Sequence, residues 1–319
     1  MEPLDRHIRR HGFFLRRRDL LANGFNDHAI RASLKARRTF RVRQGWYSVP
    51  DAPADAVRAV RVGGRLTSVS ALASYGLRVP RRDTVHIAVA RTGSRLRDPN
   101  NKDRRLSATD SARVHWGDAR GSEGSAWRVS IDEALLAILR AESRFVVVAC
   151  CSAVMRHRMM SVTRLDEVFR RGPKRVQPWR ELVSALDDSH GETLARLGFL
   201  DAGMPFEQQA RFPGVGRIDF RMSPHTYVEV DGGQHDPAWT GGGTSRYESD
   251  HDRDATVAIA GGTTNRYTYR QLYGDWPRVV AAIERTAADD RALSAYRRRH
   301  PYRPAVSAQR RRSQKKQPL

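Results

Sequence analysis

The sequence predicts a mixed α/β chain of the α+β class. Several stretches carry apolar residues at the i, i+3, i+4 spacing of helices, and between them lie short runs that alternate apolar and polar side chains, as strands do. In the C-terminal third, a helix is followed by three strands, a second helix and a further strand, an order that suits a sheet flanked by helices. The length of 319 residues allows two or three domains.

The chain is strongly basic, with a net charge of +22, and its two ends carry most of the excess. Residues 1–50 hold 12 Lys and Arg against 4 Asp and Glu, and residues 297–319 hold 9 Lys and Arg and no acid. Charge concentrated in this way indicates contacts with a polyanion, so DNA is the expected partner and a membrane surface is not. A GC-rich coding sequence could explain why Arg outnumbers Lys 52 to 5, but not the excess over acids.

Cysteine usage and hydropathy favour a cytoplasmic protein. The two cysteines, Cys150 and Cys151, are adjacent and are not expected to bridge each other, so we interpret them as buried helix residues in a reducing compartment. The first ten residues are charged and lack the apolar segment of a signal peptide. The longest apolar run, 145–154, is too short to span a bilayer.

Residues 1–50 have the pattern of a winged helix-turn-helix. Residues 16–22 predict a short helix that ends at a glycine turn, and Asn26 can cap a second helix over 27–36. Residues 40–49 alternate apolar and polar around a Gln-Gly turn, which predicts a hairpin.

This module offers cationic side chains for DNA, since a helix of this kind enters the major groove. The outer side of the second helix and the hairpin carry the candidates His28, Arg31, Lys35, Arg41 and Arg43. The alternative is a basic helical hairpin that packs on the rest of the protein.

A mixed α/β middle region is predicted over 51–184. Residues 85–89 predict a strand, and the polar, Asn- and Asp-rich residues that follow predict a loop. Ser130 and Glu133 have the spacing of a capping box, so a helix should begin at residue 131. No catalytic constellation is evident in this region.

The third domain, 185–290, carries the carboxylates. Asp219 ends a short apolar strand, and Glu229 and Asp231 alternate along the next strand and therefore point to the same face. Clustered like charges repel each other unless a cation lies among them, and hard oxygen ligands of this kind suit Mg²⁺ or Mn²⁺. Enzymes that hydrolyse phosphodiester bonds commonly bind a divalent cation next to the phosphate. Residues 291–319 are predicted to be a disordered basic tail.

The blocks around these acids resemble the bacterial family called domain of unknown function 559, which is similar to the very-short-patch-repair endonuclease and belongs to the PD-(D/E)XK superfamily. Five separated blocks appear in order: Glu192; 217–220; 228–235; Arg246, Asp250, Arg253 and Asp254; and 265–267. The resemblance covers the C-terminal domain and implies a PD-(D/E)XK-like restriction-endonuclease fold.

The resemblance also implies roles for the acids. Asp219 and Glu229 would bind the metal, and Glu192 would complete the site or support its ligands. Asp231 stands where many such nucleases carry a catalytic lysine; a carboxylate cannot stabilise developing negative charge, but it could add a metal ligand. His235 could act as general base or leaving-group acid, since an ordinary imidazole titrates near working pH.

Two arginines, Arg253 and Arg266, would hold the scissile phosphate. The reading favoured by the resemblance is thus a DNA-binding protein with a Mg²⁺- or Mn²⁺-dependent endonuclease module. The alternatives are a merely acidic surface strand, and a degenerate nuclease fold that binds DNA without cutting it.

The N-terminal module is similar to the winged helix of AbiEi-type antitoxins, and the middle region resembles the segment that often joins the two parts in actinobacterial proteins. This resemblance implies a toxin partner, such as a toxin kinase or nucleotidyltransferase. It also supports the alternative function, a non-catalytic antitoxin or transcriptional regulator.

Overall fold

The computed structural model describes residues 2–80, 83–108, 111–117, 125–231 and 244–299, with the side chains of 244–250 and 291–299 outside that description. The chain is mixed α/β, which confirms the predicted class. It divides into two compact units, Met1–Thr193 and Leu194–Leu319. Within the described ranges, no helix combines the length and apolar character needed to cross a membrane.

The N-terminal part of the first unit is a small helical domain with a three-stranded sheet, ordered β1-β3-β2. Its elements are α1 (Leu4–Arg10), β1 (Phe14–Arg16), α2 (Arg17–Ala22), α3 (Asp27–Lys35), β2 (Phe40–Arg43) and β3 (Trp46–Ser48). The predicted cap is confirmed, because the Asn26 side chain accepts the backbone N–H of Ala29 at 2.9 Å. The predicted hairpin is also confirmed, whereas α1 and β1 were not predicted.

The rest of the first unit packs helices against a second three-stranded sheet, ordered β4-β5-β6. Its elements are α4 (Ala54–Val62), β4 (Arg65–Leu66), α5 (Ser68–Ser74), β5 (Val85–Val89), β6 (Ala112–Trp116), α6 (Ile131–Ala141), α7 (Arg144–Arg156), α8 (Val162–Arg171) and a 3₁₀ helix (Lys174–Leu182). Ser130 caps α6 as predicted, and Cys150 and Cys151 are buried and unbridged in α7.

One hydrophobic core joins the N-terminal domain to the middle region. Phe14 of β1 and Val42 of β2 belong to the same buried cluster as Leu66 and Ile87 of the second sheet. The two regions that the sequence predicts at 1–50 and 51–184 therefore share packing inside one compact unit.

The second unit is built on a four-stranded sheet, ordered β10-β9-β8-β7, in which β9 and β10 run parallel and the other neighbours run antiparallel. Its elements are α9 (His190–Asp201), which belongs to this unit from Leu194 onward, β7 (Glu207–Phe212), β8 (Gly216–Arg221), β9 (Thr226–Asp231), α10 (Thr244–Ile259), β10 (Thr263–Thr268), α11 (Tyr269–Gly274) and α12 (Trp276–Arg299). A parallel pair requires a crossover connection, and α10 lies on it.

Helices cover both faces of this sheet. Phe220 and Val228 belong to a buried cluster with Phe199 of α9 and Ile283 of α12. On the opposite face, Tyr227 packs with Val257 of α10. Because side chains alternate along a strand, Glu229 and Asp231 share the face of Tyr227.

The last helix is longer than predicted. The sequence predicts a disordered tail from residue 291, but α12 continues to Arg299. This stretch contains Ala292, Leu293 and Ala295, and such residues lose little side-chain entropy in a helix. The predicted tail from residue 300 onward lies outside the described residues.

Candidate active site

Asp219 and Glu229 lie side by side where two strands stop pairing. The β8–β9 register pairs Phe220 with Val228, so the next step along the strands sets Asp219 opposite Glu229. In place of a ladder hydrogen bond, the Asp219 carboxylate accepts the backbone N–H of Val230 at 2.8 Å. The two strands thus stop pairing through their backbones at the acids, and the Asp219 side chain bridges them instead.

An irregularity in β7 accompanies this break in pairing. The β7–β8 register pairs residues on either side of Gln209 and Asp219 but omits these two. Gln209 has a φ of 55°, a left-handed backbone conformation that a side chain of its size rarely adopts. The β7–β8 pairing is therefore interrupted opposite Asp219, while the register is the same on both sides of the interruption.

Both carboxylate oxygens of Glu229 form ion pairs with guanidinium groups. Arg253 of α10 places Nη2 at 2.9 Å from Oε1, and Arg266 of β10 places Nη1 at 3.1 Å from Oε2. The second contact follows from the parallel β9–β10 register, which pairs Arg266 with Glu229. The Glu229 side chain is only 13% exposed, so these pairs compensate a largely desolvated charge.

Arg266 is the centre of a larger network. It donates two hydrogen bonds to Asp254, at 2.9 and 3.0 Å, and its Nη1 lies 3.4 Å from an oxygen of Asp231. Burial alone would lower the pKa of Arg266, but the hydrogen bonds to Asp254 and the charges of Glu229 and Asp231 raise it above its ordinary value. The group is therefore a permanent cation among three carboxylates.

Arg253 has a second anchor, since its Nη2 also donates to the backbone carbonyl of Arg217 at 2.7 Å. The two arginines that were predicted to hold phosphate thus do lie beside the predicted metal ligand. Here they bind the protein's own carboxylates. Such charge-assisted hydrogen bonds have the geometry that a phosphate would use.

The carboxylate oxygens of the site suit a hard cation, but those of Glu229 already pair with Arg253 and Arg266. The carboxylates of Asp219, Glu229 and Asp231 are ligands that Mg²⁺ and Mn²⁺ prefer. Within the part of the chain that the structure describes, no group of three or more His, Cys, Asp or Glu is arranged to hold a metal ion. A cation at Asp219 and Glu229 would share the Glu229 carboxylate with the two guanidinium groups, since each carboxylate oxygen has two lone pairs.

The structure describes one of the two remaining predicted catalytic residues. Glu192 lies in the first turn of α9 and in the first unit, with 4% of its surface exposed. Its carboxylate accepts the backbone N–H of Asp188 at 3.0 Å, and its own N–H donates to the Ser189 hydroxyl at 3.1 Å, so it contributes to the start of the helix. His235 lies outside the described residues.

The predicted DNA-binding residues of the first unit are mostly available to solvent. His28, Arg31 and Lys35 are exposed on α3, and Arg41 is exposed on β2. Arg43 is different, because its guanidinium group lies against Gly63, where it leaves no space for a Cβ atom.

Asp254 is a residue of this network that the sequence patterns do not identify as part of the site. It directly follows Arg253 on α10 and orients Arg266 through two hydrogen bonds. Its position within the fourth block of the resemblance was the signal that could have identified it.

Neither a comparison with models of known protein families nor a comparison with curated protein sequences finds a match to this chain. The resemblances to the endonuclease and antitoxin families therefore remain predictions from the residue blocks.

Proposed function

We propose that the chain is a DNA-binding protein whose second unit cleaves phosphodiester bonds with Mg²⁺ or Mn²⁺. One observation carries the proposal: Asp219 and Glu229 meet where the backbones of two strands stop pairing, and Arg253 and Arg266 lie within 3.1 Å of Glu229. Two acids beside two guanidinium groups can bind a cation and a phosphate next to each other.

The order of elements in the second unit adds support. It is the predicted series of helix, three strands, helix and strand, with helices on both faces of the sheet. This arrangement is compatible with the restriction-endonuclease fold that the resemblance implies.

In this function Asp219 and Glu229 would hold the metal ion. When bound, the ion would lower the pKa of a water molecule and neutralise charge on the phosphate. Arg253 and Arg266 would turn from Glu229 to the phosphate oxygens, and the bidentate contact with Asp254 would keep Arg266 oriented as it does so. Asp231 would add a further oxygen ligand.

The decisive experiment is a nicking assay on supercoiled plasmid and on mismatched duplex DNA, with Mg²⁺, with Mn²⁺ and with a chelator. Metal-dependent conversion of supercoiled to open or linear DNA is expected. Cleavage that persists in the chelator would contradict the metal-dependent mechanism.

A second candidate function is a non-catalytic DNA-binding regulator of the antitoxin type, for which a toxin partner is implied by the resemblance. The complete pairing of Glu229 with arginines favours it, because a site of this kind is neutralised without a metal. The presence of Asp231 where related nucleases carry lysine favours it as well. This function is selected if the protein binds DNA but cleaves none of the tested substrates in the presence of either Mg²⁺ or Mn²⁺.

The metal itself should be detectable as added stability. Millimolar Mg²⁺ or Mn²⁺ should raise the melting temperature, because a cation that binds only the folded state stabilises it by roughly 1.4 kcal/mol at ten times its Kd. Asp219→Asn should lose this gain, whereas Asp252→Asn, an exposed acid on α10, should keep it. If the metal raised the melting temperature of both variants equally, it would bind at a site that does not include Asp219.

Sequence-specific binding should depend on α3. The double variant Arg31→Ala/Lys35→Ala should lose tenfold or more of its preference for a duplex selected in vitro over random DNA, since a good base contact contributes about 1–3 kcal/mol. The matched control is Arg170→Ala/Lys174→Ala, which removes two exposed charges from α8 and the 3₁₀ helix. Equal weakening on selected and random DNA would show that α3 is only a basic surface.

A further inference from the structure

A basic cleft lies between the β2–β3 hairpin and the loop that follows β5. Two adjoining cavities of about 330 and 610 Å³ share Gln44, Arg95 and Arg97. Six cationic side chains line them, namely Arg41, Arg43, Arg95, Arg97, Lys102 and Arg105. Two of these belong to the N-terminal domain and four to the middle region, for which the sequence analysis predicted no function.

The loop is held in place by its own hydrogen bonds. Asp98 is buried and accepts the backbone N–H groups of Asn100 and Asn101, at 2.5 and 2.8 Å. Leu106 donates its N–H to the carbonyl of Leu96 at 3.1 Å, which closes the loop like a small hairpin. The cationic side chains are therefore presented by a folded structure.

The two acids of this loop, Asp98 and Asp103, already form ion pairs. Asp98 forms an ion pair with Arg104, and Asp103, the carboxylate among the lining residues, pairs with Lys102 at 2.5 Å. The arginines of the cleft are consequently compensated much less than those around Glu229.

The arrangement places like charges close together. Arg97 and Arg105 face each other in an antiparallel bridge, where like charges destabilise. Arg43 is half-buried, and its pKa is lowered by burial and by the charge of Arg97. Its guanidinium group makes no hydrogen bond or ion pair with any residue that the structure describes, whereas its backbone pairs with Trp46. Bound anionic oxygens would relieve this repulsion and satisfy the guanidinium groups.

We propose that this cleft binds the phosphodiester backbone of duplex DNA and extends the contact surface of the N-terminal domain onto the middle region. The proposal rests on the DNA-binding part of the proposed function. Six cations exceed what one inorganic phosphate would neutralise, and they line two connected cavities, so a chain of phosphates is the better match. Arg41, exposed on β2, belongs both to the predicted DNA surface and to the cleft.

The test compares the full-length wild type with Arg95→Gln/Arg105→Gln, which changes two exposed side chains and spares the half-buried Arg43. Affinity for random-sequence duplex DNA is measured by fluorescence anisotropy across a range of salt concentrations. The variant should bind at least tenfold more weakly at low salt, and the slope of log K against log salt should fall by roughly 1.8, because each lost phosphate contact contributes about 0.9. The control is Arg170→Gln/Lys174→Gln, for which no change is expected.

The outcomes separate this proposal from the function on which it rests. A wild type that binds duplex DNA and a variant with an unchanged affinity and slope would overturn the cleft assignment alone. A wild type that does not bind duplex DNA would overturn both. A loss of affinity confined to one selected sequence would also contradict a duplex-backbone site, since backbone contacts carry no sequence information. So would tighter binding of the wild type to single-stranded RNA than to duplex DNA.

Discussion

Asp219→Asn should abolish metal-dependent DNA cleavage while the protein remains folded and still binds DNA. The substitution removes the charge of the proposed metal ligand but keeps an oxygen that can accept the N–H of Val230, so the strand geometry should survive. A metal contributes several kcal/mol to such a reaction, and each 1.36 kcal/mol is a factor of ten, so we expect a loss of about 100-fold or more. Initial nicking rates and gel-shift affinities are the measurements.

Glu229→Gln should have a similar effect on cleavage. Arg253 keeps its contact with the Arg217 carbonyl and Arg266 keeps its contact with Asp254, so neither guanidinium group is left without an acceptor. Asp252→Asn on α10 is the matched control and should cleave like the wild type. Full cleavage by either site variant would show that these acids are not the metal ligands.

Phe220→Ala should produce the largest loss of stability in the second unit. The Phe220 ring is completely buried, with edge-to-face contacts to Phe199 at 5.3 Å and to Phe206 at 5.6 Å between ring centroids. Truncating a buried phenylalanine typically costs about 3–5 kcal/mol, since the transfer free energy is lost and a cavity remains. Because Phe220 adjoins Asp219, the same change should also disturb the site.

The chain has two compact units, so a local readout is preferable to one global melting curve. Hydrogen exchange in peptides from β7, β8 and β9 should accelerate strongly in Phe220→Ala. Tyr273→Ala is the control, because this ring is 68% exposed and its loss should cost less than about 1 kcal/mol. Comparable exchange in the two variants would contradict the role of Phe220 in the core.

The network around Glu229 links the two candidate functions. In one, Arg253 and Arg266 are phosphate ligands that neutralise Glu229 until metal and DNA arrive. In the other, the same contacts are a permanent structural substitute for the metal. The metal titration and the Asp219→Asn nicking assay separate these two states, because only the first predicts both stabilisation and cleavage.

Local sequence patterns were sufficient to predict those structural features that depend only on residues close together in the chain. The cap at Asn26, the start of α6 at Ser130 and the hairpin at 40–49 depend on neighbouring residues, and all three are observed. Alternation along β9 likewise predicted that Glu229 and Asp231 share a face. These features follow from backbone hydrogen bonding and from the two-residue period of a strand.

Tertiary structure alone decided which side chains meet. The parallel register of β9 and β10 pairs Glu229 with Arg266, and the packing of α10 adds Asp254, although these residues are far apart in sequence. The same holds for Arg43, which sequence placed on an exposed hairpin and which lies half-buried beside Gly63 and close to Arg97. Sequence patterns report the face and the chemistry of each residue, whereas register and packing, which depend on the whole chain, determine its partner.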